Sequence, residues 1–251
     1  MVSVEHPVAL EPYSAFAADF DEILGDRFFP ESRGTFESME RRYRLRYGSV
    51  ADVGCGTGTF LAYLGDRGVP TLWGVDRSAE MLARAAEKNA GNGARFLRQD
   101  LRDLRLPEQV DLLTCQFDTL NYVLTDAELH IVLAGFARAI RPGGHALFDV
   151  VTTRPHLPDW QERVELAKNA RRTVSLSTGY DDDRRVQTAT VHVDDGAGSR
   201  SEDHLQRVHS VADVVAAMPG TGLQLLAAQD FSNLAGPVED AERVIFLAQR
   251  S

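Results

Sequence analysis

A glycine-rich turn near residue 55 and an acid that follows it are the residues whose types and spacing suit ligand chemistry. The turn runs from Asp52 to Gly58, reads DVGCGTG and directly follows a short apolar run. Glycine lets the backbone approach a ligand closely because no Cβ intervenes. Asp76 ends the next apolar run, where its carboxylate can accept hydrogen bonds from both hydroxyls of a ribose. The turn and the acid together predict a site for a nucleotide-like ligand.

The spacing of the glycines distinguishes between two kinds of ligand. Dinucleotide enzymes use G-x-G-x-x-G and place the pyrophosphate at the N-terminus of the following helix. Here the spacing is G-x-G-x-G, and Asp52 stands at the front of the turn. A carboxylate suits a ligand that carries an ammonium group and lacks phosphate, which favours S-adenosylmethionine (SAM) over NAD or FAD. A nicotinamide-dependent oxidoreductase and a SAM-binding protein without turnover remain open as alternatives.

Alternating apolar runs and helical patterns must position these residues. Strands are predicted at 50–53, 71–76, 94–99, 110–117 and 145–151, with amphipathic helical patterns between them. Strands that alternate with helices predict a parallel sheet covered on both faces. Two further strands are predicted at 222–231 and 241–249.

Two regions depart from this alternation. Residues 11–47 are predicted to be helical and to form a cover, with a second helical stretch from Thr35 to Tyr47, because Phe16 and Phe20 begin an apolar series at helical spacing. Period-two alternation between about residues 160 and 210 predicts antiparallel strands. We therefore expect a core at 1–155 and 211–251 that includes the helical cover, and a β insertion at 156–210.

The charge balance argues against nucleic acid as a partner. The 251 residues include 27 Lys and Arg against 37 Asp and Glu, a formal net charge of −10. Nucleic-acid binding depends on neutralising phosphates, so we expect no nucleic-acid partner.

The sequence also predicts the cellular compartment of the protein and whether it carries a membrane segment, disulfides or a metal. Residues 1–7 lack the basic start and apolar core of a signal peptide, and no apolar stretch approaches the roughly 20 residues that span a bilayer. Two cysteines, Cys55 and Cys115, make no disulfide framework, and no Cys/His cluster has metal-ligand spacing. We expect a cytoplasmic protein without a membrane segment or a metal, either a monomer or a homodimer.

The motifs in this order resemble those of class I SAM-dependent methyltransferases over nearly the whole chain. Segments 52–58, 74–78 and 98–102 are similar to that family's first three motifs, and 115–122 and 141–144 to its later ones. The resemblance implies a Rossmann-like, doubly wound, mostly parallel seven-stranded sheet with an antiparallel C-terminal edge hairpin and a small antiparallel β insertion. It also implies SAM as cofactor and S-adenosylhomocysteine (SAH) as product.

Fourteen residues are implied by the resemblance to hold the cofactor. Asp100 corresponds to the family's aspartate that contacts the adenine amino group. The full expected set is Asp52, Gly54, Cys55, Gly56, Thr57, Gly58, Asp76, Arg77, Met81, Asp100, Leu101, Gln116, Phe117 and Tyr122.

Within the family the chain looks most like bacterial amino-sugar N-methyltransferases, which begin with a Tyr-containing helix and carry an antiparallel insertion. Tyr13 and the segment 203–209 are the matching pieces. The Asn/Asp-Pro-Pro-Tyr signature of nucleic-acid and glutamine methyltransferases is absent, because Gln116-Phe117-Asp118 occupies that place. The resemblance implies methyl transfer to an amine or hydroxyl of a small-molecule acceptor, with the insertion covering the acceptor site.

Four residues are candidates for the chemistry at the acceptor. His204 and His209 are five residues apart, so on one regular strand they point to opposite faces and at most one faces the acceptor. Asp118 can orient an amine or accept a proton, and Tyr13 can bind the SAM carboxylate or the acceptor. The alternative for each histidine is a surface or structural role, and for Tyr13 it is ordinary helix packing.

Overall fold

Two β-sheets and the helices that cover them make up the part of the chain that the computed structural model describes, residues 9–153, 163–168, 172–196, 198–235 and 238–251. Expectations for residues 1–8, and for the start of the insertion at 156, fall outside these ranges. In chain order the strands and α-helices are β1 (Ala9–Leu10), α1 (Asp26–Tyr43), β2 (Ser49–Val53), α2 (Thr59–Asp66), β3 (Thr71–Asp76), α3 (Ala79–Lys88), β4 (Arg95–Arg98), β5 (Val110–Cys115), α4 (Asp126–Ala139), β6 (Ile140–Val151), β7 (Val164–Lys168), β8 (Thr173–Asp181), β9 (Val186–Asp194), β10 (Ser199–Arg207), α5 (Val211–Ala217), β11 (Leu223–Asp230) and β12 (Arg243–Arg250).

The large sheet has seven strands in the order β11-β12-β6-β5-β2-β3-β4. Strands β2 to β6 pair in parallel, whereas β12 is antiparallel to both β6 and β11. The predicted mostly parallel sheet with an antiparallel edge hairpin is therefore confirmed. The chain runs outward from β2 to β4 and then returns to β5, so the strand order reverses between β2 and β5. Ligands of open α/β sheets bind at the carboxyl ends of the strands beside such a reversal.

The small sheet has the order β1-β10-β9-β8-β7. Each neighbouring pair from β7 to β10 is antiparallel, which confirms the predicted antiparallel strands. The short β1 adds to its edge in parallel with β10, a pairing that local sequence does not reveal. Val174, Val191 and Val193 alternate along β8 and β9 and pack against Ala15 and Phe16 of the N-terminal segment. The boundaries predicted for the insertion, 156–210, remain a prediction.

The predicted helix over residues 11–47 is wrong at both ends. Residues 11–19 form turns, and Tyr13 has a φ of 63° in the left-handed region. A π-helical turn at Asp21–Gly25 then leads into a single helix, α1, which ends at Tyr43. The reason lies in another element: the Glu202 carboxylate of β10 accepts hydrogen bonds from the backbone amides of Tyr13 and Ala15 at 3.0 and 2.8 Å. These amides are satisfied without helical bonds.

Two apolar clusters fill the faces of the large sheet. One lies beneath α4 and α5 around Phe136, Phe148 and Phe246, and the other lies beneath α1 and α2 around Phe36 and Leu61. Both leave the carboxyl ends of the central strands free for a site. In the described part of the chain, no helix combines the length and apolarity that a membrane crossing requires.

Candidate active site

The glycine turn forms one wall of a cleft at the carboxyl ends of β2, β3 and β5, which we call the glycine-loop pocket. The amides of Gly54 and Cys55 both donate to the carbonyl of Val75, at 2.7 and 3.0 Å, and fasten the turn to β3. Gly54 has a φ of 73°, and a Cβ there would lie 2.4 Å from Cγ2 of Thr119. Only glycine therefore fits where the chain leaves β2.

Asp76 holds the middle of the turn. Its Oδ2 accepts from the amide of Gly56, and its Oδ1 from the amide of Ser78, both at 2.9 Å. Burial raises the pKa of Asp76, and these amide hydrogen bonds act against that shift. A Cβ on Gly56 would meet nothing within 4 Å, so there is open space beside this carboxylate. The arrangement fits a ligand hydroxyl that approaches Asp76 across the turn.

Asp52 contributes a second carboxylate to the same wall. It is buried at the end of β2 and accepts a hydrogen bond from the Thr114 hydroxyl at 2.7 Å. Burial raises its pKa to about 7; the Thr114 hydrogen bond opposes the shift, and the charge of Asp76 adds to it. A cationic ligand group placed here, such as an ammonium group, would favour the ionised form.

Gln116 provides an unpaired donor. Its Oε1 accepts from the Ser32 hydroxyl at 2.8 Å, but its buried Nε2 has no hydrogen-bond partner among the described residues. A buried donor left unpaired costs about 1–3 kcal/mol, so an acceptor atom of a ligand in the glycine-loop pocket would stabilise the folded protein. The open space at Gly56 could accommodate part of a SAM molecule, and Nε2 of Gln116 could donate a hydrogen bond to it.

Twelve of the fourteen residues expected to hold the cofactor line this pocket. The two others are Gly58 and Asp100. Gly58 turns the chain into α2 with a φ of 74°, packed against Asn89. Both carboxylate oxygens of Asp100 are bound by the Arg102 guanidinium at 3.0 Å. The cofactor roles of all fourteen residues remain predictions.

A second pocket adjoins the first, and we call it the inter-sheet pocket because both sheets line it. Five residues belong to the walls of both pockets: Tyr13, Phe20, Gly25, Phe117 and Tyr122. The outer wall is mostly apolar and includes Leu24, Phe28, Leu166, Leu176 and Val191. A molecule in either pocket would therefore contact the same shared wall.

A hydrogen-bonded array stands where the two pockets meet. The Tyr13 and Tyr122 hydroxyls are 3.1 Å apart, and the Tyr122 hydroxyl is 2.6 Å from Nδ1 of His204. Nε2 of His204 is 3.1 Å from Oε1 of Glu202, a carboxylate with no exposed side-chain surface. Burial raises the pKa of Tyr122 well above its ordinary value, so this phenol stays protonated. Burial opposes ionisation of Glu202, yet hydrogen bonds from His204 and backbone amides lower its pKa.

Asp118 forms a separate polar corner of the inter-sheet pocket. Its Oδ1 accepts from Arg243 at 2.7 Å and its Oδ2 from Gln206 at 2.5 Å. Phe117 and Asp118 have φ values of 57° and 50°, an uncommon conformation for residues other than glycine. The carboxylate of Asp149 holds both, because its two oxygens accept their amides at 3.0 and 2.8 Å.

Comparison with known proteins agrees with this geometry. Residues 50–144 match a family model described as a methyltransferase domain. A dTDP-3-amino-3,4,6-trideoxy-alpha-D-glucopyranose N,N-dimethyltransferase of Streptomyces venezuelae is 28% identical over 182 residues, which cover 70% of this chain and 76% of the relative. The chain is a SAM-dependent methyltransferase.

Solved structures of methyltransferases share the fold. One from Clostridium acetobutylicum ATCC 824 matches with a TM-score of 0.78 at 21% identity and covers 95% of this chain and 99% of its own. A sugar N-methyltransferase from Streptoalloteichus sp matches with a TM-score of 0.74 at 23% identity and covers 100% and 97%. The matches do not favour the alternatives of a nicotinamide-dependent oxidoreductase and of a SAM-binding protein without turnover.

The two candidate histidines, His204 and His209, do not lie on one strand, as the prediction of opposite faces assumed. Strand β10 ends at Arg207, so His209 lies beyond it, and the rule of opposite faces does not apply to the pair. His209 is fully buried with Nε2 2.8 Å from the carbonyl of Val123, and within the described chain it lines neither pocket. His204 alone reaches the junction of the pockets.

Sequence reasoning missed Glu202, Gln206 and Arg243. Glu202 shares a face of β10 with His204 because the two residues are two positions apart, and this spacing was an available signal. Arg243 lies on β12, 125 positions along the chain from its partner Asp118, and no local pattern connects them.

Proposed function

We propose that this methyltransferase methylates an amine of a small molecule and that amino sugars are its acceptor class. The observation that carries the proposal is the junction of the two pockets, where a polar array and the Asp118 carboxylate face a largely apolar inter-sheet pocket. The names of the Streptomyces venezuelae relative and of the Streptoalloteichus structure support it, since both specify a sugar N-methyltransferase activity.

The residues of the chain supply binding and orientation. SAM carries its methyl group on a sulfonium, so the group is already activated for transfer. The enzyme must then hold the nucleophile in line with that group. We infer that Asp52, Asp76 and Gln116 hold the donor. The hydroxyl oxygens of Tyr13 and Tyr122 offer lone pairs to the acceptor ammonium at the junction, and the apolar wall keeps water away from it.

Some expectations remain predictions beside this proposal. The net charge of −10 supports a small-molecule acceptor over nucleic acid, because bringing phosphates to an acidic surface is unfavourable. We also propose a cytoplasmic location, which a small-molecule acceptor and SAM would share. Monomer and homodimer remain equally open.

A pair of matched acceptors tests the proposal. The first is a dTDP-linked 3-amino-deoxyhexose, and the second is the same compound with a hydroxyl in place of the amine. We expect SAH to form with the amine, the acceptor to gain one methyl group by mass spectrometry, and the hydroxyl compound to react far more slowly. Preferential methylation of the hydroxyl compound, or no reaction of several amino sugars with an enzyme that binds SAH, would overturn the proposal.

A further inference from the structure

A continuous hydrogen-bonded path leads from the junction of the pockets to a buried carboxylate. It passes from the Tyr122 hydroxyl to Nδ1 of His204 at 2.6 Å, and from Nε2 of His204 to Oε1 of Glu202 at 3.1 Å. Tyr122 lines both pockets, and His204 lines the inter-sheet pocket. Glu202 lines neither within the described residues, and it reaches the junction through His204 and through the backbone of Tyr13.

The partners of Glu202 fix the state of the imidazole. The amides of Tyr13, Ala15 and Phe16 all donate to this carboxylate, at 3.0, 2.8 and 3.3 Å. An acceptor of several donors is ionised, and an ionised carboxylate beside Nε2 keeps the proton of a neutral imidazole on that nitrogen. Nδ1 is then the free base, 2.6 Å from the Tyr122 hydroxyl. The Tyr122 hydroxyl donates its proton to the Tyr13 hydroxyl at 3.1 Å and turns toward Nδ1 for the transfer.

We propose that Tyr122 and His204 relay a proton away from the acceptor ammonium, with Glu202 as the positioning residue. This inference rests on the proposed amine acceptor, because a protonated amine has no lone pair with which to attack a methyl group. The ammonium gives one proton to the Tyr122 oxygen while the Tyr122 hydroxyl proton passes to Nδ1 of His204. The products are a neutral amine and an imidazolium paired with the Glu202 carboxylate, and no charge is gained or lost.

Among the described residues, few other charged groups line the pocket beside His204, and one of them, Arg207 of β10, is paired with Asp126 at 2.7 Å. Tyr13 and Tyr122 approach from the two loops, and Glu202 lies on the same strand. The neighbouring β9 places Ala189 opposite His204. Asp118 and Arg243, across the pocket, are already paired with each other at 2.7 Å. The relay needs a neutral imidazole at His204, because imidazolium cannot accept a proton.

The test compares pH–rate profiles of kcat/KM for the amino sugar at saturating SAM. His204→Gln should lower the value about 100-fold near neutral pH, within the usual range for a general base. The loss should shrink at pH values above the pKa of the acceptor amine, because the free amine needs no base. Tyr122→Phe should cause a smaller loss of kcat/KM, and this loss should also shrink at high pH. His192→Gln is the matched control, since His192 lies on β9 and lines neither pocket in the described structure.

A second readout does not depend on turnover. In the SAH complex, nitrogen NMR of the His204 ring should show the proton of the neutral imidazole on Nε2 in the parent and a larger share of it on Nδ1 in Glu202→Gln, because the carboxylate that accepts from Nε2 is gone. An unchanged tautomer, or a loss in His204→Gln and Tyr122→Phe that stays constant at all pH values, would overturn the relay. If the parent enzyme methylates no amine at all, the proposed function fails, and the relay fails with it.

Discussion

Asp52 bears a carboxylate that burial keeps partly protonated at neutral pH. Its pKa is about 7 in the folded chain, whereas an aspartate in an unfolded chain titrates near 3.9. Because the folded pKa is the higher one, the folded state gains most from this residue at low pH. That gain is lost as the pH rises from about 4 to about 7.

Asp52→Asn should therefore stabilise the ligand-free protein at pH 8, by about 1 to 4 kcal/mol, and should change it little at pH 4. The same change should weaken SAM binding, because the cation loses its counter-charge. Thermal denaturation at both pH values, with and without SAM, measures both effects. Equal stability of the variant and the parent at pH 8 would contradict the assignment of a buried, ionising Asp52.

Asp76→Asn should weaken SAM and SAH binding about 10- to 100-fold. A hydrogen bond to a charged group contributes about 1.5–3 kcal/mol, and Asn offers only one oxygen where Asp76 offers two. Calorimetric titration measures the loss. Asp103→Asn serves as control, since Asp103 is an exposed acid on a neighbouring segment outside the pocket lining. Parallel losses in both variants would argue against a specific ribose contact.

The loop after β5 is an element whose shape depends on one side chain. Phe117 and Asp118 adopt left-handed backbone conformations, which cost of order 1 kcal/mol or more each. Asp149 compensates by accepting both of their amides. Burial raises the pKa of Asp149 to about 6, against the opposing charge of Arg243. Asp149, on the neighbouring strand β6, therefore offsets the cost of this backbone conformation. The resulting loop lines both pockets.

Asp149→Asn should destabilise the protein by about 1–3 kcal/mol and also weaken SAH binding, since one amide loses its acceptor and Phe117 lines the glycine-loop pocket. Asp111→Asn is the matched control. Asp111 accepts hydrogen bonds from the amides of Gly48 and Ser49 at 2.8 and 2.9 Å, at the amino end of β5 and away from the carboxyl ends of the strands that hold the site. Denaturant unfolding and SAH titration should show lower stability in both variants and weaker binding only in Asp149→Asn.

The parts of the fold that the sequence could predict are those encoded by local periodicity. Strand β3 begins and ends where the apolar run does, and the glycine turn lies where the motif places it. The N-terminal turns could not be predicted, because Tyr13 is held by Glu202, which is 189 positions away. The array at the pocket junction joins three distant segments in the same way, so sequence identified His204 as a candidate but not its partners.

At the scale of the whole molecule, the N-terminal segment connects the two pockets. The carbonyl of Tyr13 accepts from the Ser78 hydroxyl at 3.0 Å beside the glycine-loop pocket, while its amide donates to Glu202 of the small sheet. One segment is thus attached to both ligand sites, and five residues serve both pockets.

This shared wall makes the two ligands thermodynamically dependent on each other. Whatever conformational freedom residues 12–25 lose when the first ligand binds is not lost again with the second, which is a source of positive cooperativity. An acceptor amine should bind several-fold more tightly in the presence of SAH than in its absence, and SAH should gain affinity by the same factor. Calorimetry in both orders checks this reciprocity, and hydrogen exchange over residues 12–25 should slow with either ligand. A productive pair would then stay bound long enough to react, whereas a single ligand would dissociate first.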